Sequence, residues 1–135
     1  MRNSKKKVLL IEDDGMLRTL YTDLLEAEGL EVEQAVEGNE GMKRASEGGY
    51  DLILLDILLP GMQGQEILKK LREKPPIQPN GPIVMLTNQS QKEVLDECRE
   101  LGAAGEIIKS ETEQDQFIQL IHKYLDSQTG KRPET

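Results

Sequence analysis

The chain has 135 residues, with 17 basic and 25 acidic side chains and a formal net charge of −8. That length suits one domain with a single core, and the acidic balance argues against a nucleic-acid surface, which needs a clustered basic footprint. One cysteine, Cys98, excludes a disulfide framework or a thiolate metal cluster. No apolar run approaches the ~20 residues of a membrane span. Phe117, Tyr21, Tyr50 and Tyr124 are too few to build a stacking platform for bases or a flavin ring.

Residues 1–7 are basic but lead into a short apolar run, residues 8–11, too brief for the core of a secretory signal, so a cytoplasmic protein is expected. That run reads as a strand ending in Glu12, Asp13 and Asp14. Leu17, Leu20, Tyr21, Leu24 and Leu25 follow at the spacing of one helix face, with Asp14 as N-cap and Gly29 as stop. Leu30 and Val32 alternate with Glu31 and Glu33, which predicts a half-exposed edge strand. A weakly patterned helix over 39–47 turns Met42 and Ala45 inward and ends at Gly48 and Gly49.

Residues 52–55 form the apolar run of a strand buried on both faces, stopped by Asp56 and closed off at Pro60 and Gly61. Ile67, Leu68 and Leu71 mark a third helix, ended by Pro75 and Pro76, and a stiff proline-rich connector runs to Pro82. Residues 83–86 make a fourth strand that stops at Thr87. Ser90 and Glu93 have the spacing of a capping box, opening a helix with Val94, Leu95, Cys98 and Leu101 inward and Gly102 closing it. Ile107 and Ile108 are a fifth strand that stops at Lys109. A second capping box at Ser110 and Glu113 opens the last helix, with Phe117, Leu120, Ile121, Tyr124 and Leu125 on its inner face. Residues 127–135 carry no apolar side chain and read as a frayed tail.

Strand and helix alternating in this way predict an α/β fold: a doubly wound, five-stranded parallel sheet in the order 2-1-3-4-5 with five helices, flavodoxin-like. Every strand of such a sheet finishes at one edge, so Glu12, Asp13, Asp56, Thr87 and Lys109 converge there from four strand ends. The carboxylates fall at the switch point between strands one and three, where open α/β sheets bind ligands. Packed together they repel and raise one another's pKa unless a cation is present. A small set of oxygen ligands with no cysteine suits Mg2+, which keeps waters and accepts phosphate oxygens. With a lysine and a hydroxyl beside it, the site suits a phosphoryl group, and an aspartate is available as nucleophile.

On Glu12 and Asp13 after strand one, Asp56 followed by Pro60, Gly61 and Gly64, then Thr87 and Lys109, the sequence resembles the receiver domains of two-component response regulators, CheY-like in fold. The resemblance spans residues 6 to about 126 and implies a single receiver domain over 1–135. It implies that Asp56 takes a phosphoryl group from the phosphohistidine of a histidine kinase or phosphotransfer protein. It also implies that Asp13 and Asp56 bind Mg2+ directly with the Leu58 carbonyl, that Glu12 acts mainly through water, and that Thr87 and Lys109 contact phosphoryl oxygens. The switch is expected to move the loop after strand four and alter the surface of the last two helices, with no nucleic-acid or membrane partner of its own. The resemblance further implies that Leu58 and Gln89 flank the route of attacking water.

Three positions depart from the family pattern: Ser110 where proline commonly follows the lysine, Glu106 where an aromatic is frequent, and Asn88 where a small residue is usual. Glu106 is expected to stay solvent-facing, because burying an unpaired carboxylate costs several kcal/mol. A docking module of the same fold that is not phosphorylated is the alternative. An aspartyl-phosphate hydrolase is a weaker one, since its second aspartate is replaced by Leu58. A flavin carrier would place a hydroxyl-rich loop where Glu12, Asp13 and Asp14 stand. His122 lies off the inner stripe of the last helix and is expected at the surface.

Overall fold

The structure, a computed structural model, describes residues 5–127. The tail expected over 127–135 lies outside them apart from Ser127, as do residues 1–4 of the basic start. Five strands alternate with five helices: β1 (Lys7–Ile11), α1 (Gly15–Ala27), β2 (Glu31–Ala35), α2 (Gly38–Glu47), β3 (Leu52–Leu55), α3 (Gly64–Glu73), β4 (Ile83–Thr87), α4 (Lys92–Glu100), β5 (Gly105–Ile108) and α5 (Gln114–Ser127). All pairings are parallel and the order is β2-β1-β3-β4-β5, as the alternation predicts.

Strand periodicity divides the core into two layers. Leu9, Ile11, Ile53, Leu55 and Met85 face one way, against Ala45 of α2, Ile67, Leu68 and Leu71 of α3, and Leu95 and Cys98 of α4. Val8, Leu10, Leu52, Leu54, Val84, Leu86 and Ile107 face the other way, against Tyr21 and Leu25 of α1 and Phe117, Ile121 and Leu125 of α5. β3 lies third of five, and its four residues are wholly buried. Each such side chain contributes about 1.5–3 kcal/mol of burial, which fixes the height at which β3 ends and Asp56 begins. Burial raises the Cys98 thiol to about 11, consistent with a small apolar role. No helix among the described residues is long and apolar enough to cross a membrane.

Helix starts differ from the sequence reading at two places. The capping box expected at Ser90 does not form, and α4 begins at Lys92 with Gln91 as a cap that makes no side-chain bond. The preceding loop is instead built on side chains: Gln89 N–H donates to Thr87 Oγ1 at 3.0 Å and Gln91 N–H to Gln89 Oε1 at 3.3 Å. Likewise Ser110 opens no helix; it sits in a 3-10 turn over Lys109–Glu111. The reach-back bond of a capping box appears three residues later, where Glu113 N–H donates to Gln116 Oε1 at 3.1 Å. Asp14 does cap α1, accepting from Leu17 N–H at 3.0 Å. On α1, Leu20 lies at the surface and Thr22 is buried in its place, its hydroxyl accepting from Gln34 Nε2 at 2.9 Å.

Candidate functional site

The register of β1 and β3 pairs Ile11 with Leu55, so the next residue of each strand, Glu12 and Asp56, stand side by side. Asp56 N–H continues the ladder to the Ile11 carbonyl at 3.3 Å. Immediately beyond, Gly64 brings the start of α3 against the Asp56 backbone: a Cβ there would lie 2.5 Å from the Asp56 carbonyl oxygen. A side chain at 64 would push the phosphoacceptor candidate out of line.

Asp56 is 7% exposed and Glu12 1%, while Asp13 faces solvent. A carboxylate oxygen from each of the three can be chosen so that all lie within 4.8 Å of one another. Asp56 Oδ1 accepts from Ile57 N–H at 2.7 Å, and Asp56 Oδ2 is held by Lys109 Nζ at 2.8 Å. The same ammonium lies 2.5 Å from Glu12 Oε1, although that oxygen gains no well-formed hydrogen bond. Glu12 Oε2 accepts from Asp14 N–H at 3.0 Å. Burial alone would drive Lys109 toward its neutral form, but its bonds to Asp56 and Glu12 outweigh that and hold its pKa above the ordinary value.

One ammonium thus bridges two of the three carboxylates, Glu12 and Asp56. A buried carboxylate oxygen without a good hydrogen-bond partner, set among oxygen donors only, fits a hard divalent cation such as Mg2+. Thr87 ends β4 at 1% exposure, its hydroxyl already accepting from Gln89 N–H. All five residues drawn from the sequence therefore lie at one rim, and the Leu58 side chain stands 57% exposed beside them. The peptide bond from Lys109 to Ser110 is trans, and Lys109 nevertheless reaches Asp56.

Two contributors went unread in the sequence. Arg18 Nη1 donates to the Glu12 carbonyl at 2.9 Å, so α1 steadies the strand end from its first turns. Its position one turn beyond Asp14, on the same side of the helix, was the available signal. Tyr21 lies beneath the cleft, tilted against Phe117 with ring centroids 4.8 Å apart. Burial raises its pKa, the Lys109 charge opposes that, and Glu12 and Asp56 add to it. His122 is at the surface as expected, with Nε2 2.8 Å from Glu28 Oε1.

Carboxylates from two neighbouring strand ends, bridged by a lysine from a third, are the arrangement of a signalling receiver on an α/β sheet. Comparison along the chain agrees: residues 8–122 match the response regulator receiver domain, and the chain belongs to that family, the receivers of two-component signalling. Among individual relatives, it is 30% identical over 120 residues to sporulation initiation phosphotransferase F of Bacillus subtilis, covering 89% of this chain and 94% of that one. It is 32% identical over 108 residues to the transcriptional regulatory protein ResD of the same organism, covering 80% of this chain but 43% of ResD. The chain thus spans less than half the length of that regulator. In structure it resembles a CheY-like receiver domain protein of Methanospirillum hungatei, with a TM-score of 0.82, 30% identity, and coverage of 93% and 97%.

Proposed function

We propose that this domain is a phosphoacceptor: Asp56 takes a phosphoryl group from the phosphohistidine of a histidine kinase or phosphotransfer protein. The observation that carries this reading is the bridge of Lys109 Nζ to Asp56 Oδ2 at 2.8 Å, deep at the strand edge and beside two further carboxylates. Such a lysine pairs with the carboxylate before transfer and can pass to a phosphoryl oxygen afterwards, so positive charge follows the negative charge that arrives. One relative that this chain covers to 94% is named a phosphotransferase, which supports phosphoryl traffic as the shared chemistry.

In the transfer, a carboxylate oxygen of Asp56 attacks phosphorus and forms the new P–O bond. The P–N bond to the donor imidazole breaks, and its electron pair stays on the nitrogen, which is neutral or takes a proton from solvent. Asp13, Asp56 and the Leu58 carbonyl would hold Mg2+, with Glu12 acting mainly through water. When bound, the metal neutralises phosphoryl oxygens as charge develops on them. Thr87 offers its hydroxyl to a phosphoryl oxygen, for which it turns from its present role toward Gln89. That turn pulls on the loop into α4, the route by which the signal leaves. The domain would catalyse no reaction besides its own phosphorylation and dephosphorylation.

Incubation with Mg2+ and acetyl phosphate, followed by intact mass measurement, tests this. One added phosphoryl group, stable to acid, labile to base and absent from Asp56→Asn, is the expected result. A chain that stays unlabelled with acetyl phosphate and with a phosphohistidine donor would instead be a docking module of the same fold.

A further inference from the structure

Thr87 and Lys109 come from adjacent strands, and the connections that follow them are tied together. Asn88 Oδ1 accepts from Ser110 N–H at 2.8 Å, across 22 residues of sequence. The register places Thr87 opposite Ile108, so this bond joins the residue one step beyond β4 to the residue two steps beyond β5. On the Ser110 side the chain is already tight: it forms the 3-10 turn over Lys109–Glu111, and Thr112 Oγ1 donates back to the Ile108 carbonyl at 2.8 Å. On the Asn88 side, Gln89 N–H closes onto Thr87 Oγ1. The Asn88–Ser110 bond therefore joins two small, internally bonded loops, each carrying one polar side chain of the site.

We infer that Asn88 is a positioning residue: by holding Ser110 N–H, it sets the backbone from which Lys109 reaches Asp56. This inference rests on the phosphoacceptor reading of Asp56. Lys109 must place its ammonium 2.8 Å from Asp56 Oδ2 and 2.5 Å from Glu12 Oε1 through a long, flexible side chain. Where that chain starts matters, because displacing a catalytic group by an ångström costs rate steeply. The bond also makes the two loops move as one. Thr87 cannot swing toward a phosphoryl group on Asp56 without drawing the Lys109 turn with it or breaking this contact. Asn88 is itself exposed and touches none of the reacting atoms, so it acts through Lys109 and Thr87.

Asn88→Ala removes the acceptor, and Lys109→Ala removes the side chain through which Asn88 is inferred to act. Initial labelling rates would be measured against acetyl phosphate concentration at saturating Mg2+, alongside Mg2+ affinity by NMR titration and thermal melts. Asn88→Ala should lower the maximal rate by roughly 3- to 10-fold, and Lys109→Ala by more. In Asn88→Ala, Mg2+ affinity should not fall, because the carboxylates stay in place and a displaced ammonium competes less for them, and the melting temperature should stay close to wild type, because the bond is at the surface. The double variant should be no slower than Lys109→Ala alone, the signature of one residue acting through the other. Losses that multiply in the double variant, unchanged rates in Asn88→Ala, or a Mg2+ affinity that falls in step with the rate would each overturn the inference. Wild-type protein that takes no label would overturn the phosphoacceptor reading together with this one. Labelled wild type with an equally fast Asn88→Ala variant would overturn this inference alone.

Discussion

Arg99 reaches from α4 to β5 and grips Glu106 at both carboxylate oxygens, at 2.7 and 2.5 Å. The sequence reading left Glu106 facing solvent because an unpaired buried carboxylate is costly. In the structure the side chain is only 20% exposed, and the cost is met by a partner from its own fold. Arg99 also pairs with Asp96 at 3.2 Å, which in turn meets Lys92, so the exposed face of α4 forms one charged network ending on β5. Arg99→Ala should leave Glu106 half-buried and unpaired and lower stability by about 1 kcal/mol, a few degrees in melting temperature. Arg99→Ala combined with Glu106→Gln should recover part of that loss. If the double variant melts no higher than Arg99→Ala, the pair is not what supports Glu106.

The second prediction concerns charge in the cleft. Asp56→Asn removes one of three neighbouring carboxylates and still leaves Lys109 its contact with Glu12. Without metal, the variant should melt at or above the wild-type temperature, because like-charge crowding is relieved. Mg2+ should raise the wild-type melting temperature by mass action and raise that of the variant less, since one direct ligand is lost. Differential scanning fluorimetry across a Mg2+ series checks both. Equal Mg2+ shifts in the two proteins would remove Asp56 from the ligand set.

The third prediction concerns how long a phosphoryl group stays. Leu58 stands 57% exposed two residues beyond Asp56, the position that the family resemblance puts beside the route of attacking water. An apolar side chain there cannot hydrogen-bond and orient that water, so self-hydrolysis should be slow, with a half-life of minutes or longer. Leu58→Asn supplies an amide to orient it and should speed the loss by roughly tenfold, less than the ~10²–10⁴ of a general base, because an amide takes no proton. Decay of the labelled mass after removal of donor gives both rates. Loss from wild type within seconds would exclude the argument.

Much of this was legible because hydrophobic period and strand termination are local. Four apolar runs each stop at a polar residue, and in a parallel sheet those stops share an edge, so the sequence alone brings Glu12, Asp13, Asp56, Thr87 and Lys109 together. Side-chain bonds across loops were not legible. The capping boxes at Ser90 and Ser110 failed because Thr87, Gln89 and Asn88 recruit the backbone there first, and no local pattern announces that competition. The partner of Glu106 was not legible for the same reason: Arg99 lies on another element, and pairing between elements is a property of the fold.

The last prediction is a pH dependence at the opposite end of β1, away from the site. Tyr50 is buried and its hydroxyl donates to Glu33 Oε1 at 2.6 Å, while Arg44 Nη1 and Lys7 Nζ lie 3.1 and 3.7 Å from the same carboxylate. The Tyr50 hydrogen bond, opposed by burial and aided by Lys7 and Arg44, holds the Glu33 carboxyl below its ordinary value of 4.5. A depressed carboxylate contributes stability that is complete above that ordinary value and is lost as pH falls through the lower, folded one. Burial first, then the Glu33 bond and charge, push Tyr50 up from 10.0 to about 12. Between those two values the folded chain binds more protons than the unfolded one, so this contribution is lost as pH rises. Tyr50→Phe removes the hydroxyl from both ends of the range. It should cost about 1 kcal/mol near neutral pH, and its melting temperature should approach wild type below pH 4.5 and again above pH 10. Melting curves of both proteins across that range decide it. A constant difference at every pH would mean that Tyr50 stabilises by packing alone.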